Sequence, residues 1–235
     1  THIDDADVEH DFSEIMKRKI ETRAHMGVVR LEVDDLSSPL CAFVRNQLNL
    51  DAAYCFEEPH FFDYKFFFSL GNYFPEEQAA QLRYPPFKGK IAEPLKEAES
   101  LIEYVRKKDL YLSYPYDSMT PLIELLDECS KDKRVLSIKI TIYRLANHSR
   151  IVDALCRACE HGKQVTVVIE LCARFDEENN LHFAAKLQEA GCTIIYGMEN
   201  YKVHSKIISV VLKEGEEISY ITHLGTGNYN ESTAK

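Results

Sequence analysis

The sequence predicts a mixed α/β protein, an irregular α+β front followed by an α/β region on a largely parallel sheet. Three observations carry this expectation. From about residue 110, β-branched runs alternate with helical runs at the lengths of βαβ units. One of them, Gln164-Val-Thr-Val-Val-Ile-Glu-Leu171, is almost continuously apolar, as a strand covered on both faces is. Before residue 90 the runs are short, and Tyr84-Pro-Pro-Phe87 and Pro94 punctuate the change. The expected organisation is therefore a domain over 1–90, a boundary or linker over 91–110, and a second domain over 111–235.

The elements follow in order. Asp11 to His25 carries Phe12, Ile15, Met16 and Ile20 at helical spacing. Val28 to Val33 alternates as a short strand. A helix is expected from about Ser38 to Leu48, with Pro39 in its first turn. The aromatic cluster Phe61, Phe62, Tyr64, Phe66, Phe67 and Phe68 reads as a buried helix. In the second region, Val135 to Tyr143 is a β-branched strand and Ser149 caps a helix running to His161. After the apolar strand at 164–171, a helix from about Glu177 ends with Gly191 in the C′ position. Cys192 to Tyr196 is a further strand. Lys206 to Leu212 and Ile218 to Leu224 then form two adjacent strands joined by the Glu214-Gly215-Glu216 turn.

Composition narrows the function classes. With 45% hydrophobic and 28% charged residues in 235, the chain has the makings of a globular core rather than of disorder. No apolar run approaches the roughly 20 residues of a membrane-spanning helix. The seven cysteines are odd in number and scattered, which suits the reducing cytosol. Cys156 and Cys159 form a C-x-x-C inside a helix with no second pair at zinc-site spacing, so they read as structural thiols. The chain opens at Thr1 and stops at Lys235 just after a glycine-rich motif, and it reads as an excerpt. The formal net charge of −10 argues, taken alone, against a polyanionic ligand.

The chemistry-bearing residues point the other way. His204 and Lys206, two apart at a strand entrance, project to one face. An imidazole is a nucleophile and an ammonium neutralises phosphate oxygens, a pairing suited to phosphoryl transfer. H-x-K alone is common and reads as an exposed histidine. Here a hairpin later comes Gly225-Thr-Gly-Asn-Tyr-Asn230, a turn whose backbone N–H groups can cradle an anion. Arg144 and Arg174 each follow a predicted strand, at the carboxyl ends where α/β sheets collect ligands, and each offers a planar fork for phosphate. Asp176, Glu177 and Glu178 read as favourable charge at a helix N-terminus in preference to a metal site. Tyr201, Lys202 and Asn228 are candidates for shaping the pocket. Arg144, Arg174, Lys202 and Lys206 together make a local basic cluster, and within a Debye length of about 8 Å that cluster outweighs the distant net charge.

Several of these motifs together resemble one family. Tyr114-Pro-Tyr-Asp-Ser118, Ile142-Tyr-Arg144, Glu170-Leu-Cys-Ala-Arg-Phe-Asp-Glu-Glu-Asn179, His204-Ser-Lys206 and Gly225-Thr-Gly-Asn-Tyr-Asn230 are similar in order and spacing to bacterial polyphosphate kinase. Arg18-Lys-Ile-Glu-Thr-Arg23, Val29 to Val33 and Tyr84 to Phe87 resemble the middle helical region of that family. The resemblance implies a partial phospholipase D-like catalytic domain over 111–235, truncated at its C-terminus, and a phosphohistidine at His204 with Lys206 beside it. It implies Mg²⁺ as cofactor, with Arg144 and Arg174 at the metal site. A guanidinium has no lone pair for a cation, so the two arginines read as phosphate clamps beside the ion, with Lys202 and Asn228 as further phosphate contacts.

The implied partners are ATP or ADP and inorganic polyphosphate, with no nucleic acid, in a cytoplasmic homo-oligomer. Membrane association stays open. The second catalytic histidine and most nucleotide contacts would lie outside this chain, leaving the fragment alone inactive. Two rivals remain at this point. One is a phospholipase D-like phosphodiesterase or nuclease that pairs two copies of the H-x-K motif in a homodimer. The absence of an Asp in Ile207 to Val211 argues against it. The other is a non-enzymatic polyphosphate-binding module.

Overall fold

The computed structural model describes residues 14–233, apart from 16, 17, 19, 23, 24, 59–63, 86, 172, 174, 175 and 198–200. The chain divides into two compact units, one over Glu21–Pro86 and the other over Thr1–Ile20 with Phe87–Lys235.

The smaller unit is built on short elements. Strand β1 (Leu31–Val33) pairs in parallel with β2 (Cys55–Glu57), and Leu31 lies opposite Cys55. The β2 strand was not expected, because three residues give too little alternation to read. Helix α1 (Pro39–Gln47) starts as predicted: Ser38 accepts the Leu40 N–H and Pro39 occupies the first turn. The aromatic run behaves differently from its expectation. Phe61 and Phe62 lie outside the described residues, and Phe66 to Ser69 forms only the four-residue helix α2. Phe66, Phe67 and Phe68 are exposed, the last at 95%. Phe67 stacks on Phe66 and on Tyr64, and none of the three phenylalanines enters a core, so hydrophobicity alone misread them. Helix α3 (Glu76–Gln81) closes the unit. The expected helix over 11–25 falls largely on residues outside the description.

The larger unit starts with α4 (Leu101–Lys107) and α5 (Thr120–Lys131). Neither was read from the sequence, and Ile102 of α4 is fully buried in the core. The stretch 91–110 thus carries a packed helix. Ser100 starts it by accepting the Glu103 N–H, and Glu128 of α5 accepts the N–H of Leu101 at 2.8 Å.

Next come β3 (Val135–Ile142), α6 (Arg150–Glu160), β4 (Gln164–Ile169), α7 (Glu177–Glu189) and β5 (Thr193–Ile195). The hairpin strands β6 (Lys206–Glu214) and β7 (Glu217–Gly225) complete the unit. The sheet order is β5-β4-β3-β6-β7. The first three strands are parallel, as helical crossovers require. β6 adds to β3 antiparallel, and the tight turn at Gly215, with φ of 60°, then reverses the chain so that β7 pairs antiparallel with β6.

One apolar cluster joins the alternate residues Ile138, Ile140 and Ile142 of β3 to Val165, Val167 and Ile169 of β4 and Ile208, Val210 and Leu212 of β6. Leu126 of α5, Leu155 of α6 and Leu187 of α7 pack into it. Each such side chain contributes about 1.5–3 kcal/mol on leaving water. Cys156 and Cys159 sit on α6 as expected. Burial raises the Cys156 thiol pKa, and Cys159 Sγ lies 3.1 Å from Cys192 Sγ. Among the described residues no helix is long and apolar enough to cross a membrane.

Candidate active site

Parallel strands β3 and β4 end side by side, and Tyr143 and Glu170 follow them directly. Asn180 on α7, fully buried, donates from Nδ2 to the carbonyls of both residues at 2.9 Å. This bridge holds the two strand ends in register beyond the last ladder hydrogen bond. Glu170, 6% exposed, turns its carboxylate onto the Val203 N–H at 2.8 Å. The hydroxyl of Thr141 donates to the Ser205 carbonyl at 2.7 Å and accepts the Ile207 N–H at 3.0 Å. Two side chains, Thr141 on β3 and Glu170 just past β4, therefore tie down the segment that carries His204, and Asn180 on α7 braces the strand ends beside it.

Within that segment, His204 packs edge-to-face on Tyr143, with ring centroids 5.0 Å apart. Lys206, only 5% exposed, donates from Nζ to the His204 carbonyl and lies 5.2 Å from the Tyr143 ring centroid. Among the described residues its ammonium has no carboxylate in ion-pair range. Burial lowers its pKa from the ordinary lysine value. A charge held this way, on a carbonyl and a ring face, is electrostatically unfilled and suits an incoming anion.

Arg144 stands at the carboxyl end of β3 as predicted, within 5.5 Å of the same ring. Its Nε meets Asp176 Oδ2 at 2.7 Å. Asp176 is the N-cap residue of α7, yet its side chain caps no helical N–H. It serves the arginine instead, a finer role than the helix-end charge expected of it. Glu177 and Glu178 do occupy the first helical turn.

The glycine turn arrives at this end of the sheet because Lys206 pairs across the hairpin with Gly225. A Cβ on Gly225 would stand 3.3 Å from Lys206 Cβ and 3.3 Å from His223 Cε1, so the absence of a side chain keeps that space open. Past the turn, Asn230 donates to the Leu145 carbonyl at 3.2 Å. Glu231 accepts the Arg150 N–H at 2.7 Å. That carboxylate caps α6 where Ser149 was expected to do so: Ser149 holds the N-cap position but makes no capping bond from its side chain. His223 Nδ1 lies 3.0 Å from the hydroxyl of buried Tyr229, and desolvation lowers the histidine pKa. A cleft of about 620 Å³ opens beside this turn, bounded by Tyr114, Leu122, His223 and Asn228 among others. The Tyr114 hydroxyl, pushed up to about 12 mainly by burial, and Asn228 Oδ1 are buried there without hydrogen-bond partners among the described residues.

His204, Lys206, Arg144 and the glycine turn are thus brought together. Lys202 and Tyr201 are exposed, Tyr201 at 75%. Arg174 lies outside the described residues. Sequence reasoning did not single out Tyr143, Thr141, Glu170 or Asn180 for roles, although Tyr143 and Glu170 sat inside quoted motifs. Among the described residues no cluster of three or more His, Cys, Asp or Glu could hold a metal. With arginine lacking a donor pair and Asp176 engaged, these residues do not fit a protein-held Mg²⁺.

The family described as "Polyphosphate kinase C-terminal domain 1" matches residues 100–235, which is more than half of the sequence and contains every residue of this site. The chain belongs to the polyphosphate kinase family. The polyphosphate kinase of Pseudomonas aeruginosa strain PAO1 is 38% identical over 234 residues, 99% of this chain and 33% of that protein. That of Campylobacter jejuni subsp. doylei is 36% identical over 226 residues, 96% of this chain and 32% of its own length. Among solved structures, the polyphosphate kinase from Porphyromonas gingivalis superposes with a TM-score of 0.69 at 29% identity, over 87% of this chain and 31% of its own. The chain therefore spans about a third of the polyphosphate kinases it matches.

Proposed function

We propose that this chain supplies the nucleophile side of a polyphosphate kinase active site, in which the γ-phosphate of ATP passes reversibly to inorganic polyphosphate through a phosphohistidine on His204. A ring nitrogen of His204 forms a P–N bond as the bond from the γ-phosphorus to the bridging oxygen breaks, and ADP leaves with that electron pair. In the second step a terminal phosphate oxygen of the polymer attacks the phosphohistidine, and the P–N bond electrons return to the imidazole. The charge spread over the transferring oxygens is met by groups that need no rearrangement: Lys206, Arg144 and the backbone of the Gly225 turn. Arg174 is read as a second clamp, and Lys202 and Asn228 as outer phosphate contacts. Mg²⁺, when present, would come with the substrate phosphates and offset part of their charge, since the described residues do not fit it as a protein-held ion.

The observation that carries this reading is buried Lys206, two positions from His204, whose ammonium has no carboxylate partner among the described residues. On the same reading, 1–90 corresponds to the middle region and 111–235 to the first catalytic region of a longer cytoplasmic homo-oligomer, and this stretch alone is inactive. The test is His204→Ala in the full-length protein, incubated with γ-labelled ATP. No acid-labile label and no polymer are expected. Acid-labile label retained on the variant would sink the assignment.

A further inference from the structure

We propose that the Tyr143 ring is a positioning residue for the phosphoryl-transfer site, holding the Lys206 ammonium and the His204 imidazole in their working arrangement through its aromatic face. The inference rests on the reading of His204 as the nucleophile. Three site groups converge on this ring: His204 edge-to-face at 5.0 Å, Lys206 Nζ at 5.2 Å and Arg144 Cζ at 5.5 Å from its centroid. Both cations lie inside the roughly 6 Å range over which a ring quadrupole attracts positive charge. The attraction matters most for Lys206. Arg144 has Asp176 at 2.7 Å, whereas the buried Lys206 ammonium has the His204 carbonyl and this ring.

A carboxylate in the place of the ring would hold Lys206 more strongly, but it would also compete with phosphate for the charge. An aromatic face stabilises the cation without neutralising it, so the full charge stays available to the transferring group. The ring is itself fixed from behind, since its backbone carbonyl accepts from buried Asn180 at 2.9 Å. Its hydroxyl, in contrast, makes no hydrogen bond among the described residues. The face is therefore the working part, and phenylalanine is expected to replace it.

The experiment is carried out on the full-length protein by single-turnover labelling from γ-labelled ATP, comparing wild type, Tyr143→Phe, Tyr143→Leu and His204→Ala. A second series places phenylalanine analogues with progressively fluorinated rings at 143. These keep the shape and weaken the face, so the ring can be tested even if the leucine variant fails to fold. Tyr143→Phe is expected to label within about 2-fold of wild type. The leucine variant should be slower by roughly 10-fold, in line with the strength of a desolvated cation–π contact. The half-saturating ATP concentration should change by less than the rate does. The fluorinated series should slow stepwise with each fluorine. Failure of phenylalanine to rescue, or a rate indifferent to fluorination, would overturn the role of the ring while leaving His204 as nucleophile. Label on His204→Ala would overturn the reading beneath it, and the role of Tyr143 with it.

Discussion

Lys206→Met is expected to make the protein more stable and inactive at once. Lys206 is only 5% exposed, and its environment returns only part of its lost hydration, through the His204 carbonyl and the Tyr143 ring at 5.2 Å. Methionine has nearly the same length and no charge to desolvate. Exchanging buried ionic groups for apolar ones of similar volume is worth about 1–4 kcal/mol in favourable cases. The carbonyl and the ring already offset part of the cost, so the expected gain is the lower half of that range, about 1–2 kcal/mol.

Urea unfolding near neutral pH measures it as a higher midpoint with an unchanged slope. The pH dependence gives a second reading. Burial holds the folded-state pKa of Lys206 below the ordinary 10.5. Between those two values the unfolded chain binds more proton than the folded one, and wild type gains stability as pH rises. The advantage of the methionine variant should therefore shrink as pH climbs toward 10.5. A destabilised Lys206→Met, or a gap that widens with pH, would refute the picture of an uncompensated buried charge.

Further outcomes follow from the same geometry. Thr141→Val removes both hydrogen bonds that pin Ser205 and Ile207, and should cost about 1–3 kcal/mol in urea unfolding with a matching loss of phosphoenzyme formation. Glu231→Ala leaves the first N–H groups of α6 uncapped and should cost about 0.5–2 kcal/mol, read from the same unfolding curves. Arg106 first, then Arg134, holds the Glu214 carboxyl down to about 2. Its contribution is present above the ordinary value of 4.5 and is lost as pH falls toward 2. Glu214→Gln should flatten the acid limb of a stability–pH curve in that window, and an unchanged limb would remove Glu214 from the account.

What the sequence made legible was what period and punctuation encode. Strands β3 and β4, α6, α7 and the β6–β7 hairpin each carry an apolar repeat of sufficient length, short β5 is announced by the helix stop at Gly191 just before it, and Gly191 and Gly215 both adopt the positive φ their turns need. His204, Lys206, Arg144 and the glycine turn were legible because their residue types are informative and the strand ends are predictable. Helix α4 was missed although Ser100 and Glu103 carry a local start signal, because seven residues are too few for a helical stripe and the carboxylate that anchors them, Glu128, is distant in sequence. The aromatic run misled because composition reports hydrophobicity and not whether a partner surface exists. Tyr143, Thr141 and Glu170 escaped for another reason: each acts by contacting residues more than thirty positions away. Such pairings become visible only once the strands are laid side by side.

The anchoring of the glycine turn has a thermodynamic consequence. Its leading end is paired into the sheet at Gly225, and its trailing end is tied down by Asn230 on Leu145 and Glu231 on the start of α6. The conformational entropy of the intervening residues is lost when the domain folds and not when a ligand arrives. An anion landing on this turn meets amides already in place. Its affinity should carry little ordering penalty, and its association rate should be governed by diffusion and charge instead of by loop closure.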